Sequence, residues 1–219
     1  PANPVDGQVW YNTTSNTLKV RKPEIGAWAT ANSMNTARAY LAGVGTQTAA
    51  LGFGGYSPAQ AVTESWNGTN WTEVNDLNTA RGSFAGAGTN TAALAFGGNT
   101  PGSTAVTESW NGTSWTELND LNTARTALGG AGTNTAALGF AGNPASALTE
   151  SYNGTNWTEV NDLNTARRYL AGCGATNTAD LAFGGSYPYK TETENWNGTN
   201  WTEVNNLNLA RAYLAGAGT

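Results

Sequence analysis

One eleven-residue phrase constrains this chain more than anything else in it. The segment Trp71-Thr-Glu-Val-Asn-Asp-Leu-Asn-Thr-Ala-Arg81 recurs almost verbatim from Trp115, Trp157 and Trp201, and more loosely from Trp28. The tryptophans stand 43, 44, 42 and 44 residues apart, and the closing arginines keep step at Arg38, Arg81, Arg125, Arg167 and Arg211. A fixed period of this size marks a repeat architecture, in which each unit buries its apolar face only by stacking on its neighbours.

Each unit reads as four short strands. In the second unit these are 84–88, a run of small residues; 92–98, an apolar run ending in paired glycines; and 106–110 and 115–118, joined by Asn111-Gly112-Thr113-Ser114. Asn-Gly between β-prone runs is a hairpin signal, because both residues tolerate positive φ. No helical periodicity is sustained, so the fold class expected is all-β, a β-propeller of four-stranded blades. Glycine and alanine suit the crowded strand nearest the axis. The aromatics Trp66, Trp110, Tyr152 and Trp196, with Trp71, Trp115, Trp157 and Trp201, would fill the wider space between blades, each removing ~150–250 Å² from water.

Closure is the next expectation. The last unit stops after a single innermost strand, while the N-terminal stretches 7–11, 17–21 and 26–30 are three strand-like segments without a first strand. The spacing predicts a five-bladed propeller, one domain over 1–219. Its blades would lie near 38–75, 82–119, 126–161 and 168–205, with a fifth made of 212–219 and 6–31. An excerpt of a larger ring, or a flat array of blades, is the competing arrangement. The chain opens on Pro1 rather than Met, which fits a processed product or an excerpt of something longer.

Composition removes several functions. Charged residues are 11%, Lys+Arg 10 against Asp+Glu 15 gives a net charge of −5, and there is no histidine and one cysteine. Without imidazole no Ser-His-Asp or Cys-His nucleophile can be assembled, and zinc and haem lose their usual ligands. An acidic chain has few cations with which to displace phosphate counterions, so nucleic acid is not an expected partner. No apolar run marks a membrane span and no leader is legible. Neither cofactor nor metal is expected, nor catalysis, since the recurring carboxylates (Glu64, Glu73, Asp76, Asp120, Asp162) form no unique pair of the kind a glycosidase needs.

With Gly-Gly ending the second strand, an aromatic in the third, Trp opening the fourth and Arg before the next first strand, residues 38–219 resemble the kelch repeat family. The resemblance implies a propeller. It departs from the common form in a repeat shorter than ~50 residues and in Asn/Thr-rich turns. The copper chemistry of galactose-oxidase-like relatives requires His ligands, which are missing here. The markers of WD-type propellers are missing too. The opening Pro4-Val-Asp-Gly-Gln-Val-Trp-Tyr-Asn-Thr-Thr-Ser-Asn-Thr-Leu-Lys19 is similar to a segment of tail-fibre and other virion structural proteins of bacteriophages, marine cyanophages especially. That likeness implies a virion or extracellular adhesive part.

Two groups of residues are candidate ligand contacts. The ring of Arg38, Arg81, Arg125, Arg167 and Arg211 would offer guanidinium forks to an anion, or else brace each blade against Glu64, Glu108, Glu150 and Glu194. The loops 56–60, 99–103, 143–146 and 186–190 differ while the frame repeats, and variable loops on a rigid frame are where binding resides. Tyr56, Tyr187, Tyr189 and Lys190 are the most ligand-like residues in them. The reading is a non-catalytic binding or structural propeller that recognises a surface glycan or a neighbouring virion protein. The alternatives are a purely architectural scaffold without its own ligand and, behind it, a carbohydrate-active enzyme. Cys173 stands where other units have Val44, Ala87, Ala131 and Ala217 and reads as a small interior residue. The propeller is expected to be monomeric, with oligomers by blade exchange because the units are near-identical.

Overall fold

The structure, a computed structural model, describes residues 9–12, 17–20, 30–56 and 58–218. The chain divides into two compact units, Pro1–Ala31 and Asn32–Thr219. In the first, β1 (Val9–Asn12) pairs antiparallel with β2 (Thr17–Val20), Val9 opposite Val20 and Asn12 opposite Thr17.

The second unit is an all-β propeller with four blades of four antiparallel strands, and it contains no helix among the described residues. The first blade is β3 (Ala42–Thr46), β4 (Ala49–Gly55), β5 (Gln60–Trp66) and β6 (Trp71–Val74). The second is β7 (Ala85–Gly88), β8 (Ala93–Phe96), β9 (Thr107–Trp110) and β10 (Trp115–Glu117). The third is β11 (Gly129–Gly132), β12 (Ala137–Phe140), β13 (Thr149–Tyr152) and β14 (Trp157–Val160). The fourth is β15 (Ala171–Thr176), β16 (Ala179–Phe183), β17 (Thr193–Trp196) and β18 (Trp201–Val204). Strands follow one another in sequence order within each blade, and the innermost strands neighbour one another in succession, β3 with β7, β7 with β11 and β11 with β15.

The five-bladed architecture expected from the repeat is therefore corrected to four blades. The two N-terminal strands satisfy each other's backbone in a two-stranded sheet of their own, and residues 212–218 belong to no sheet. Residues 26–29, the expected outermost strand, lie outside the described residues. The C-terminal arm is held instead by single backbone bonds to the fourth blade: Gly185 N–H to Arg211 O (2.9 Å), Arg211 N–H to Lys190 O (3.1 Å) and Tyr213 N–H to Tyr169 O (2.9 Å). Tyr213 adds a ring packed on Tyr169 (4.4 Å), while the Gly and Ala of 215–218 bring no side chains with which to anchor a strand.

Blades are clipped together by the repeated tryptophans. Trp115 stacks on Phe53 of the preceding blade (ring centroids 4.9 Å), Trp157 on Phe96 (4.7 Å) and Trp201 on Phe140 (5.1 Å). Each indole N–H also donates to a threonine hydroxyl of that blade, at Thr63, Thr107 and Thr149, all 3.1 Å. Glycine in the innermost strands follows from the same packing. A Cβ at Gly130 would come within 2.6 Å of the Phe96 ring and one at Gly172 within 2.5 Å of Phe140. At the rim, the Asn67, Asn111, Asn153 and Asn197 side chains close their own hairpin turns by accepting from two backbone N–H groups each. The recurrent Asn-Gly-Thr is thus a turn device.

The third blade departs from its siblings at one aromatic. The indole N–H groups of Trp66, Trp110 and Trp196 donate to the carbonyls of Gln47, Asn90 and Asn177 at 2.9–3.1 Å. Tyr152, their counterpart, buries its hydroxyl with no partner. It borders a cleft of about 460 Å³ shared with Leu118 and Gly154, which leaves room for a larger ring. Tyr152→Trp is expected to raise stability by about 1 kcal/mol, read as a higher urea midpoint at unchanged slope, and Trp110→Tyr to lower it by a similar amount.

Candidate functional site

The arginines come first because the repeat places them in every blade. Arg38 pairs with Glu64 (2.6 Å), Arg81 with Glu108, Arg125 with Glu150 (2.8 Å) and Arg167 with Glu194 (2.9 Å), all with fully buried side chains. Each carboxylate also accepts from the backbone and side-chain amides of the asparagine three residues before the arginine. In the second blade these are Asn78 N–H at 2.7 Å and Asn78 Nδ2 at 2.9 Å. The guanidinium groups reach backbone carbonyls as well, Arg125 those of Ala141 (2.8 Å) and Leu148 (2.7 Å). Burial would raise the pKa of Glu64, but bonds from Asn35, Arg38 and Thr36 outweigh it and hold the carboxyl below its ordinary value. For Arg81, burial pulls the pKa down while Glu108 opposes it. Four of the five repeated arginines thus spend their forks inside the frame. Arg211 is exposed and has no ion pair among the described residues.

The recurring aspartates are engaged too. Asp76, Asp120 and Asp162 each accept from a threonine N–H of the third strand, Thr63, Thr107 and Thr149, at 2.9–3.0 Å. Glu73 stands opposite Glu64 in the sheet register, on the blade's outer strand. Among the described residues no group of His, Cys, Asp or Glu converges as a metal site, and no helix is long and apolar enough to cross a membrane.

What the frame holds up is a mouth lined by tyrosines. Two residues beyond each repeated arginine the backbone turns left-handed: Tyr40, Ser83, Ala127, Tyr169 and Tyr213 have φ between 53° and 58°. Such a conformation costs a non-glycine residue of order 1–3 kcal/mol and persists only where the surroundings enforce it. Here the enforcement is a run of backbone bonds from one blade to the next. Ser83 N–H donates to Tyr40 O (2.9 Å), Ala127 N–H to Ser83 O (2.7 Å), Tyr169 N–H to Ala127 O and Tyr213 N–H to Tyr169 O (both 2.9 Å). The five residues and the leucine or phenylalanine after each line a cavity of about 340 Å³. Tyr213 stacks on Tyr169 (4.4 Å) and approaches Tyr40 (6.3 Å).

A second cavity of about 350 Å³ adjoins it, bounded by Arg168, Ser186, Tyr187, Pro188, Tyr189 and again Tyr213. Tyr187, itself at φ 98°, and Tyr189 are 70% and 65% exposed, and Tyr213 and Tyr40 are 59% and 50% exposed. Solvent-exposed aromatics gathered at one mouth are uncommon on a surface otherwise rich in Asn and Thr, and they supply flat apolar faces edged with hydroxyl groups.

Of the residues singled out in the sequence, Tyr187 and Tyr189 lie in this cluster. Tyr56, 40% exposed, bridges to Ala39 on the corresponding loop of the first blade. Lys190 turns to Glu192 at 3.3 Å. Tyr40, Tyr169, Tyr213 and Arg168, which line the same cavities, are not among those residues. A signal for Arg168 existed: aligned on the repeat, its position holds Ala39, Gly82, Thr126 and Ala212 elsewhere. Cys173 lines the central channel, a cavity of about 480 Å³ walled mainly by Gly and Ala, and burial together with Asp180 pushes its thiol pKa up.

Comparison with protein-family models finds no match, and comparison with curated proteins finds none either.

Proposed function

We propose that this chain is a non-catalytic recognition propeller that binds a surface saccharide through its tyrosine-lined mouth. The observation that carries this reading is the gathering of the exposed Tyr40, Tyr187, Tyr189 and Tyr213 with the half-buried Tyr169 at one end of a frame in which four of the five repeated arginines are paired internally. Sugar rings present axial C–H faces that pack on aromatic planes, while their hydroxyls need the polar rim that tyrosines provide. The kelch-like markers in residues 38–219, and the likeness of residues 4–19 to phage tail-fibre segments, support placing the protein in a virion appendage, where a rigid ring with divergent loops would read a host surface.

The test is a glycan array and a host-cell binding assay with the wild type, Tyr187→Ala and Tyr213→Ala. Retention of one or a few saccharide classes is expected, weakened about ten-fold or more in each variant at little change in melting temperature. Retention of no saccharide, or retention indifferent to both substitutions, would remove the proposal.

A further inference from the structure

We infer that the cavity beside Tyr213 selects saccharides bearing a carboxylate, with Arg168 receiving the acid group. This rests on the saccharide reading above and goes beyond it in naming the class. Four observations support it.

Arg168 breaks the symmetry of the repeat, being the one cation at a position that holds Ala, Gly or Thr in the other units. Unlike its neighbour Arg167, which is sunk against Glu194, Arg168 has no carboxylate partner among the described residues. Its Nη1 donates to the side-chain oxygen of Asn143, and its Nη2 has no hydrogen-bond partner among the described residues. Finally, the guanidinium carbon lies 5.5 Å from the centre of the Tyr169 ring and 5.1 Å from that of Tyr187.

Stacking against two rings holds the guanidinium plane still and leaves its edge as the means of contact. An edge that offers N–H donors and no acceptor suits a carboxylate. The rest of the wall adds hydroxyls from Ser186, Tyr187, Tyr189 and Tyr213. In a chain of net charge −5, a cation with no carboxylate partner among the described residues is also the point to which an acidic sugar is steered. A neutral sugar would leave that charge without a partner. Hexuronates and sialic-acid-type sugars both carry the required group.

Calorimetric titration separates the possibilities. The paired probes are trigalacturonic acid against its methyl ester, and sialyllactose against lactose. For at least one pair the wild type should prefer the acid by about ten-fold or more, with a preference that shrinks as salt is added. In Arg168→Gln the acid-to-neutral ratio should fall to about one, and Arg168→Lys should keep part of it. Lys190→Ala, which removes a nearby cation outside the cavity, should leave the ratio as it is. The pair showing the preference identifies the acid source. Equal binding of acid and neutral forms by the wild type, or a preference that survives Arg168→Gln, overturns the inference while leaving saccharide recognition in place. Absence of binding to all four probes overturns it too, and the array then decides the broader reading.

Discussion

Glu108→Ala should cost the protein about 3–5 kcal/mol of stability, more than almost any other single truncation outside the aromatic core. The side chain is fully buried and gathers four donors: Asn78 through its backbone and side-chain amides, the Thr79 amide at 3.3 Å, and Arg81. Removing it strands the Arg81 charge in a fully buried site and frees the Asn78 and Thr79 amides that it pins. The loss is then the cost of an unpaired buried charge, which exceeds the net worth of an intact pair. Glu117→Ala, on an exposed position of β10, is the internal comparison and should change stability by about 0.5 kcal/mol or less. Urea unfolding at neutral pH measures both. Equal costs for the two variants would mean that the brace contributes nothing to holding the blade.

The second large effect concerns a carboxylate with no such support. Asp180 on β16 is 2% exposed, neither oxygen has a partner, and its position in the register is held by Ala50, Ala93 and Ala137 in the other blades. It lies hard against Gly174, where an added Cβ would meet Oδ1 at 1.8 Å. Burial pushes its pKa from 3.8 up to about 7. Between those values the folded protein holds a proton that the unfolded chain has released, so stability falls as pH rises through this window. It is lost in full above about pH 7. The span corresponds to about 4 kcal/mol. Asp180→Ala should therefore stabilise the protein modestly near pH 4, by relieving a buried unbonded polar group. The gain should grow by about 4 kcal/mol by pH 8. Unfolding midpoints measured across that range should separate wild type from variant progressively. Parallel profiles would contradict the assignment.

The blades were legible because each carries the same physical instructions. Small residues sit where strands crowd the axis, Gly-Gly where the chain must turn at positive φ, Trp where one blade meets the next, and Asn-Gly in the outer hairpin. The Arg and Glu of each unit pointed to each other through shared periodicity. The blade count was not legible. Strand-like composition does not say which strand pairs with which, and β1 and β2 are complementary enough to satisfy each other. The tyrosine mouth escaped notice for a different reason. Left-handed backbone usually announces itself by Gly or Asn, and here Tyr40, Tyr169 and Tyr213 adopt it because bonds between blades impose it. Residues as far apart as 40 and 213 meet only because the repeat curves around an axis. Arg168 was hidden by the repeated arginine beside it, and Asp180 by the alanines it replaces.

Recognition by exposed tyrosines on a frame braced by buried Arg–Glu pairs is tested most directly by a crystal structure of the protein soaked with the saccharide that the array retains best. A sugar ring should lie within about 4–5 Å of the Tyr187 or Tyr213 plane, with any acid group turned to Arg168. Density in the glycine-walled channel or along the outer hairpins, with the tyrosine mouth empty, would contradict it.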